Sequence, residues 1–412
     1  MRVRRVESPS RPSARPDLER EVRAILDEVR TGGDAAVREL TERFDHAALG
    51  PERLRVDPRE LEGALGVLPP EVLRGLRTAI ANVRAVVEAQ LREPLAIELD
   101  QGQRVEIDEL PVRRAAIYAP GGRAAYPSTV VMGAVTARAA GVEQIAVCAP
   151  PGPGGRAHPT ILAACVLCEV SEVYRMGGAQ AIAALAFGTE SVERVDVIAG
   201  PGNAYVQEAK RQVAFTEVGI DGIAGPSELA VVADGDGLDP EPIALDLLAQ
   251  AEHGPDSLLW LLAPDEGLRD AVLERVESLA VERPSVTDAL LEVAPLGGAA
   301  ALQTAEELAP EHLELVGERA EALALRVRRA GCLFVGAGAA TAFGDYVAGS
   351  NHVLPTGGAA RFQSALSAAT FRRRMARVSL PGEAPARLAP AGAALARAEG
   401  FPVHAESMER RA

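Results

Sequence analysis

The stretch Arg113–Pro150, RRAAIYAPGGRAAYPSTVVMGAVTARAAGVEQIAVCAP, decides the fold. A short apolar run, AAIYA from Ala115, ends in a Pro-Gly-Gly turn; a helical pattern over Thr129–Ala140 follows, and a second apolar run begins at Gln144. Strand, helix and strand at that spacing make a βαβ unit with parallel strands. Both runs are apolar almost throughout, not at alternate positions, which suits strands covered on both faces.

The alternation continues outward. Downstream come a helix over Thr160–Glu169, EVYRM, the helix AQAIAALAF, VDVIAG, a helix over Ala204–Thr216 and ELAVVAD. A second series holds a helix over Pro242–His253, SLLWLLAP, a helix over Glu266–Val281, a helix ending near Leu308, a strand over Leu313–Gly317, a helix over Glu318–Ala330 and CLFVGA. Two α/β units in tandem are therefore expected. The Gly- and Pro-rich stretches 149–159 and 235–242 read as loops or boundaries. Upstream, Asp17–Glu93 is helical in period, and IELDQGQRVEIDELP reads as a hairpin about a Gln-Gly turn. After Thr356 the pattern turns helical again.

Composition narrows the function. With 412 residues, 48% hydrophobic and 25% charged, the chain is an ordinary globular one, long enough for more than one core. Its 43 basic and 58 acidic residues leave a net charge of −15, which repels nucleic acid and anionic membrane surfaces. Four cysteines are too few for a disulfide framework, no apolar segment suits a signal peptide, and no run reaches the ~18 residues of a membrane span. A cytosolic protein is expected. Lys210 is the lone lysine, so a Schiff-base mechanism would have to rest on it.

Ligands of open parallel sheets bind beyond the carboxyl ends of the strands. There the chain has three glycine turns, YAPGGRAAYPST, MGGAQA and AGPGNAY, each before a helix start where free N–H groups and the helix dipole favour phosphate. Together they suggest a dinucleotide site, although no G-x-G-x-x-G occurs and any one of them serves equally as a helix cap. Gln250 and His253, three apart, share a helix face. With Asp345, His352 and His404 they offer ligands for zinc or a similar ion, although Gln is an infrequent ligand and a single histidine is more often structural. Glu311-His312 in APEHLE sets a carboxylate beside an imidazole, either a surface pair or two separate proton-transfer groups. His46 and His158 lie in polar loops. Cys165 and Cys168 fall inside an apolar helical run, and Cys148 and Cys332 in buried-looking strands, so all four read as inert thiols.

Several long blocks carry a resemblance: YAPGGRAAYPSTVVM, GGAQAIAALAFGTESV, DVIAGPGNAYVQEAKRQV, IDGIAGPSELAVVAD, DLLAQAEHGPDS, APEHLEL, GDYVAGSNHVLPT and AEGFPVHAES. From about Arg20 to His404 the chain resembles the histidinol dehydrogenase family, zinc-dependent enzymes that end histidine biosynthesis. The resemblance implies two incomplete Rossmann-like units in an aldehyde-dehydrogenase-like architecture, with helical segments at both ends. It implies an extension over 1–20, a first domain of 21–117 plus 229–365 carrying most of the catalytic site, an NAD domain over 118–228 and a helical tail over 366–412. One zinc per subunit would rest on Gln250, His253, Asp345 and His404, with Glu311 and His312 as bases. NAD would meet Tyr118, Gln180 and Asn203; L-histidinol would meet Ser227, Gln250, His253, His312, Asp345, Glu399 and His404, with His352 bordering the pocket. The family is similar to a homodimer in which Glu399 and His404 complete the partner's site.

The chain departs from the family in IDGIAGPSE, without the usual Met-Pro pair, and in a short insertion after Ala233; neither removes a site residue. Three rival readings fit the residues less well. A sulfopropanediol-type dehydrogenase would want an Arg in place of Glu399 for its anionic substrate. A non-catalytic zinc or dinucleotide regulator would be free to lose Glu311 or His312, and both are present. An aldehyde dehydrogenase needs a nucleophilic cysteine.

Overall fold

The structure, a computed structural model, describes residues 1–11, 18–121 and 125–412. Gly122, Arg123 and Ala124 of the first glycine turn, and residues 12–17 of the expected 1–20 extension, lie outside the described residues. Within them the strands are, in chain order, β1 (Arg2–Arg5), β2 (Leu95–Glu98), β3 (Arg104–Pro111), β4 (Arg114–Tyr118), β5 (Gln144–Ala149), β6 (Glu172–Arg175) and β7 (Val197–Ala199). They continue with β8 (Gly219–Ile220), β9 (Glu228–Ala233), β10 (Leu258–Leu262), β11 (Leu290–Ala294), β12 (His312–Val316), β13 (Cys332–Val335) and β14 (Arg372–Ser379). A five-stranded parallel sheet runs β6-β5-β4-β7-β8 and a six-stranded parallel sheet runs β1-β11-β10-β9-β12-β13. The expected pair of α/β units is present.

Local sequence explains the smaller sheet. Every residue of β4 is buried, and the helix Pro127–Ala139 behind it is buried through most of its length, as a helix without a charged face until Arg138 must be. Gly133 lets that helix approach the sheet: a Cβ there would lie 2.5 Å from the Ile117 side chain.

Packing divides the chain differently from the expected 21–117 plus 229–365. Val22, Leu26, Val29 and Val37 of the helix Glu19–Asp45 share a core with Tyr118, Ile182 and Ile198, and Val83 and Val87 of the helix Pro70–Gln90 share one with Ile117, Val130 and Ile161. The helical front end thus covers the smaller sheet, whose two apolar faces its own crossover helices leave partly open. The expected 1–20 extension is no simple appendage either. Arg2–Arg5 joins the larger sheet as its edge, pairing with Leu290–Val293. Its sequence, RVRR, is exposed at all four positions, so no apolar period announces it.

The hairpin β2-β3 forms as expected but stands in a separate antiparallel sheet with β14. The region after Thr356 read as helical; the structure corrects this with the eight-residue strand RRRMARVS ahead of the helices Ala384–Ala398 and Pro402–Glu409. Seven of the eight residues of β14 are exposed. Its backbone ladder is decorated by cross-strand pairs such as Arg377–Asp108 at 2.6 Å and Arg374–Glu109 at 3.0 Å, so it carries no hydrophobic signature. The expected helix over Glu318–Ala330 also shrinks, to Glu318–Glu321 and a 3₁₀ turn at Ala324–Arg326. No helix among the described residues is long and apolar enough to cross a membrane.

One buried pair couples the larger sheet to its helix. Asp246, on the helix Pro240–Ala251, and Glu314, on β12, are buried neighbouring carboxyls, and burial followed by the Asp246 charge pushes Glu314 up to about 9. An acid whose folded pKa exceeds its unfolded value of about 4.3 holds its proton more tightly in the fold. Its stabilisation is complete below the unfolded value and is lost as pH rises towards 9. Thermal unfolding followed from about pH 5 to about pH 9 is therefore expected to show a falling melting temperature, and Glu314→Gln, a neutral donor, to flatten that fall by a few degrees. Parallel curves for the two proteins would exclude the pair as the source.

Candidate active site

β9 and β12 are parallel neighbours with His312 opposite Leu229, so Glu228, Glu311 and His312 all lie at the amino ends of these strands. Ser227 immediately precedes β9. The helix Pro240–Ala251 returns towards the same edge, bringing Gln250 and, just past its end, His253. Asp345 arrives on the short helix Thr341–Tyr346. Its carboxylate lies 3.6 Å from His312 Nε2 and 3.9 Å from His253 Nε2. His312 Nδ1 is 3.7 Å from the Glu311 carboxylate and 3.2 Å from the backbone carbonyl of Glu228.

Burial and charge set the titration of this cluster. Glu311 is pushed up to about 8, first by burial and then by Asp345, with His312 opposing. Burial alone would lower His312, but Glu311 and Asp345 outweigh it and raise the imidazole. Burial also works to raise Asp345, and here the neighbouring His312 prevails, holding it below the usual carboxylate range. His352 places Nδ1 at 2.8 Å from the Asp345 carbonyl and Nε2 at 3.3 Å from Thr129 Oγ1 on the other unit, so it spans the two units.

The described residues of the glycine turns sit at the carboxyl edge of the smaller sheet. Tyr118 closes β4 and its hydroxyl accepts the Gly178 N–H at 3.1 Å. Gln180, buried in the first turn of the helix Gly178–Phe187, donates to Asp45 at 3.3 Å. Asn203 caps the helix Ala204–Val213 by accepting the Val206 N–H at 3.1 Å. Gly200 has φ +124°, and a Cβ would stand 2.2 Å from the Tyr118 carbonyl oxygen, so only glycine lets these turns abut. Lys210 is buried, pairs with Asp221 and donates to the Gly200 carbonyl at 3.1 Å, while Asp221 accepts the Gly200 N–H at 2.7 Å. Both residues were missed as site-shaping groups. The lysine is a clamp on the turn, not a free amine.

A cavity of about 70 Å³ is lined by Gly200 and Pro201 on one side and Ser227, Glu311 and His352 on the other. The carboxyl edge of the smaller sheet thus meets the amino edge of the larger one. The expectation that ligands lie beyond carboxyl ends therefore fits the three turns and not the acid–base cluster. The tail residues stand apart. Glu399 caps the helix Ala384–Ala398, and His404, exposed, packs on the Phe401 ring at 5.3 Å. Among the described residues no three His, Cys, Asp or Glu side chains converge in a metal-holding group, so His404 does not join His253 and Asp345 within one chain. His158 caps its helix through Thr160, and the four cysteines are unpaired thiols raised by burial.

Two parallel sheets meeting over a buried carboxylate–imidazole pair define an α/β enzyme with acid–base chemistry between its units. Residues 9–412 match the family model for histidinol dehydrogenase. The chain is similar to histidinol dehydrogenases of Parasynechococcus marenigrum, 44% identical over 99% of this chain and 94% of that one, and of Gluconobacter oxydans, 45% identical over 95% and 92%. A crystal structure of histidinol dehydrogenase from Elizabethkingia anophelis covers 100% of the chain and 98% of its own length, with a TM-score of 0.92 and 31% identity. The chain belongs to the histidinol dehydrogenase family.

Proposed function

We propose that the protein oxidises L-histidinol to L-histidine through histidinal, with zinc and two NAD⁺, as a homodimer with shared active sites in the cytosol. The observation that carries this reading is the intact Glu311–His312 pair where the two sheet edges meet. Tyr118, Gln180 and Asn203 would hold NAD⁺, which would supply the hydride acceptor for each oxidation.

The residues present fit zinc. Gln250, whose side-chain oxygen is the donor atom it can offer, is buried, and the His253 imidazole and Asp345 carboxylate face each other, a nitrogen and oxygen donor set suited to that ion. Gln250, His253 and Asp345 would hold the ion, which would supply Lewis-acid chemistry to the bound substrate. His404 would complete the ligands from the second subunit, and the exposed apolar Leu395, Phe401 and Val403 on the same tail support burial against another chain.

The chain's own residues divide the proton work. The Glu228 carbonyl beside His312 Nδ1 favours the tautomer with hydrogen on Nδ1, leaving Nε2 to take the hydroxyl proton of the alcohol. One Glu311 oxygen accepts the Glu228 N–H at 2.9 Å, so the other is left for a water that hydrates the aldehyde. Two NADH formed per L-histidinol in the presence of zinc is the expected stoichiometry. One NADH, with aldehyde accumulating, would overturn the four-electron reading.

Gln250→Ala and His253→Ala are expected to lose zinc while the melting temperature stays close to that of the metal-free parent, since separate buried cores and not this cleft hold the fold. Metal analysis and thermal unfolding of the purified proteins check both parts. Stoichiometric zinc retained by either variant would remove that residue from the ligand set.

A further inference from the structure

The geometry points to Glu228 as the positioning residue of the acid–base pair, with Arg11 of the amino-terminal segment as its countercharge. Glu228 is fully buried at the start of β9. Its backbone N–H donates to the Glu311 carboxylate at 2.9 Å, and its carbonyl faces His312 Nδ1 at 3.2 Å. Its own carboxylate accepts the Glu311 N–H at 3.3 Å and the Gly357 N–H at 3.0 Å. One residue thereby holds both members of the pair and ties them to the loop after His352.

A buried carboxylate needs a partner, because an uncompensated charge away from water is strongly unfavourable. Arg11 supplies it by pairing with the Glu228 carboxylate. The same guanidinium donates to the Leu308 carbonyl at 2.6 Å and lies 5.4 Å from the centre of the Trp260 ring, so it is anchored on three sides. Without Arg11, Glu228 must take up a proton or draw water inwards. Either change disturbs the carboxylate that accepts the Glu311 N–H, and the pair loses its fixed geometry. Arg11 is far from the reacting atoms in sequence and acts only through Glu228.

This inference rests on the reading of Glu311 as a catalytic base. The test is a double-mutant cycle between Arg11→Met and Glu311→Gln, with L-histidinol and histidinal each supplied as substrate. Arg11→Met is expected to slow histidinal oxidation by about tenfold to a hundredfold, the scale of a misplaced catalytic group, with the KM for NAD⁺ and the zinc content unchanged. In the Glu311→Gln background the same substitution is expected to add little. Arg11→Lys should recover much of the rate, and Arg11→Met/Glu228→Gln should exceed Arg11→Met because no unpaired charge remains. If Arg11→Met slows the parent and the Glu311→Gln enzyme by equal factors, or raises only the KM for NAD⁺, the positioning role is overturned. Should Arg11→Met not fold, Glu228→Gln enters the same cycle with the same two outcomes. A Glu311→Gln enzyme as active as the parent would instead overturn the catalytic reading itself.

Discussion

Refolding an equimolar mixture of His312→Ala and His404→Ala chains is expected to return about a quarter of wild-type activity from two proteins that are each nearly inactive. On the proposed mechanism, loss of His312 removes a proton-transfer group, an effect of about 10²–10⁴-fold by itself. His404 is a zinc ligand on the function proposed above, yet it stands on the tail helix Pro402–Glu409 away from His253 and Asp345 of its own chain. If each tail serves the partner, about half of randomly paired dimers are mixed, and each mixed dimer holds one site with both parts intact. Should the tail serve its own subunit, every site keeps one lesion. Activity remaining at the level of the single variants, in a mixture shown to contain mixed dimers, would exclude the shared site.

Glu311→Gln is expected to slow histidinal oxidation by about 10²–10⁴-fold while sparing alcohol oxidation to a much greater degree, because only the aldehyde requires an activated water. Burial holds the Glu311 proton up to a pH of about 8. A base acts when ionised, so aldehyde oxidation by the parent should climb with pH through that region, and the amide variant should lack the climb. Rapid-mixing records of NADH formation separate the two oxidations. Equal losses in both would refute the division of labour between Glu311 and His312.

Much of the machinery was legible along the chain because its signals are local. The run from Ala115 to Ala149 is apolar at strand positions and helical between them, and β4, β5 and the helix Pro127–Ala139 form where that pattern puts them. Glu311 and His312 are adjacent in sequence, and Gln250 and His253 are one helical turn apart, so each pair could be read without knowing the fold. Two kinds of feature were not legible. β1 and β14 are exposed, Arg-rich strands fixed by ladder bonds and cross-strand charges, so they carry no apolar period. Glu228 and Arg11 are 217 positions apart in the numbering, and no local spacing joins them.

By itself the sequence determined that this is an α/β enzyme with parallel sheets, three glycine turns and an adjacent carboxylate–imidazole pair, since backbone period and neighbouring chemistry are short-range properties. Only the tertiary structure decided which edges of the sheets face each other: the carboxyl edge bearing Gly200 against the amino edge bearing Ser227 and Glu311. The reason is physical. Strand direction follows from the βαβ pattern within each unit, but the docking of one unit on the other depends on contacts such as His352 with Thr129, made between residues 223 positions apart.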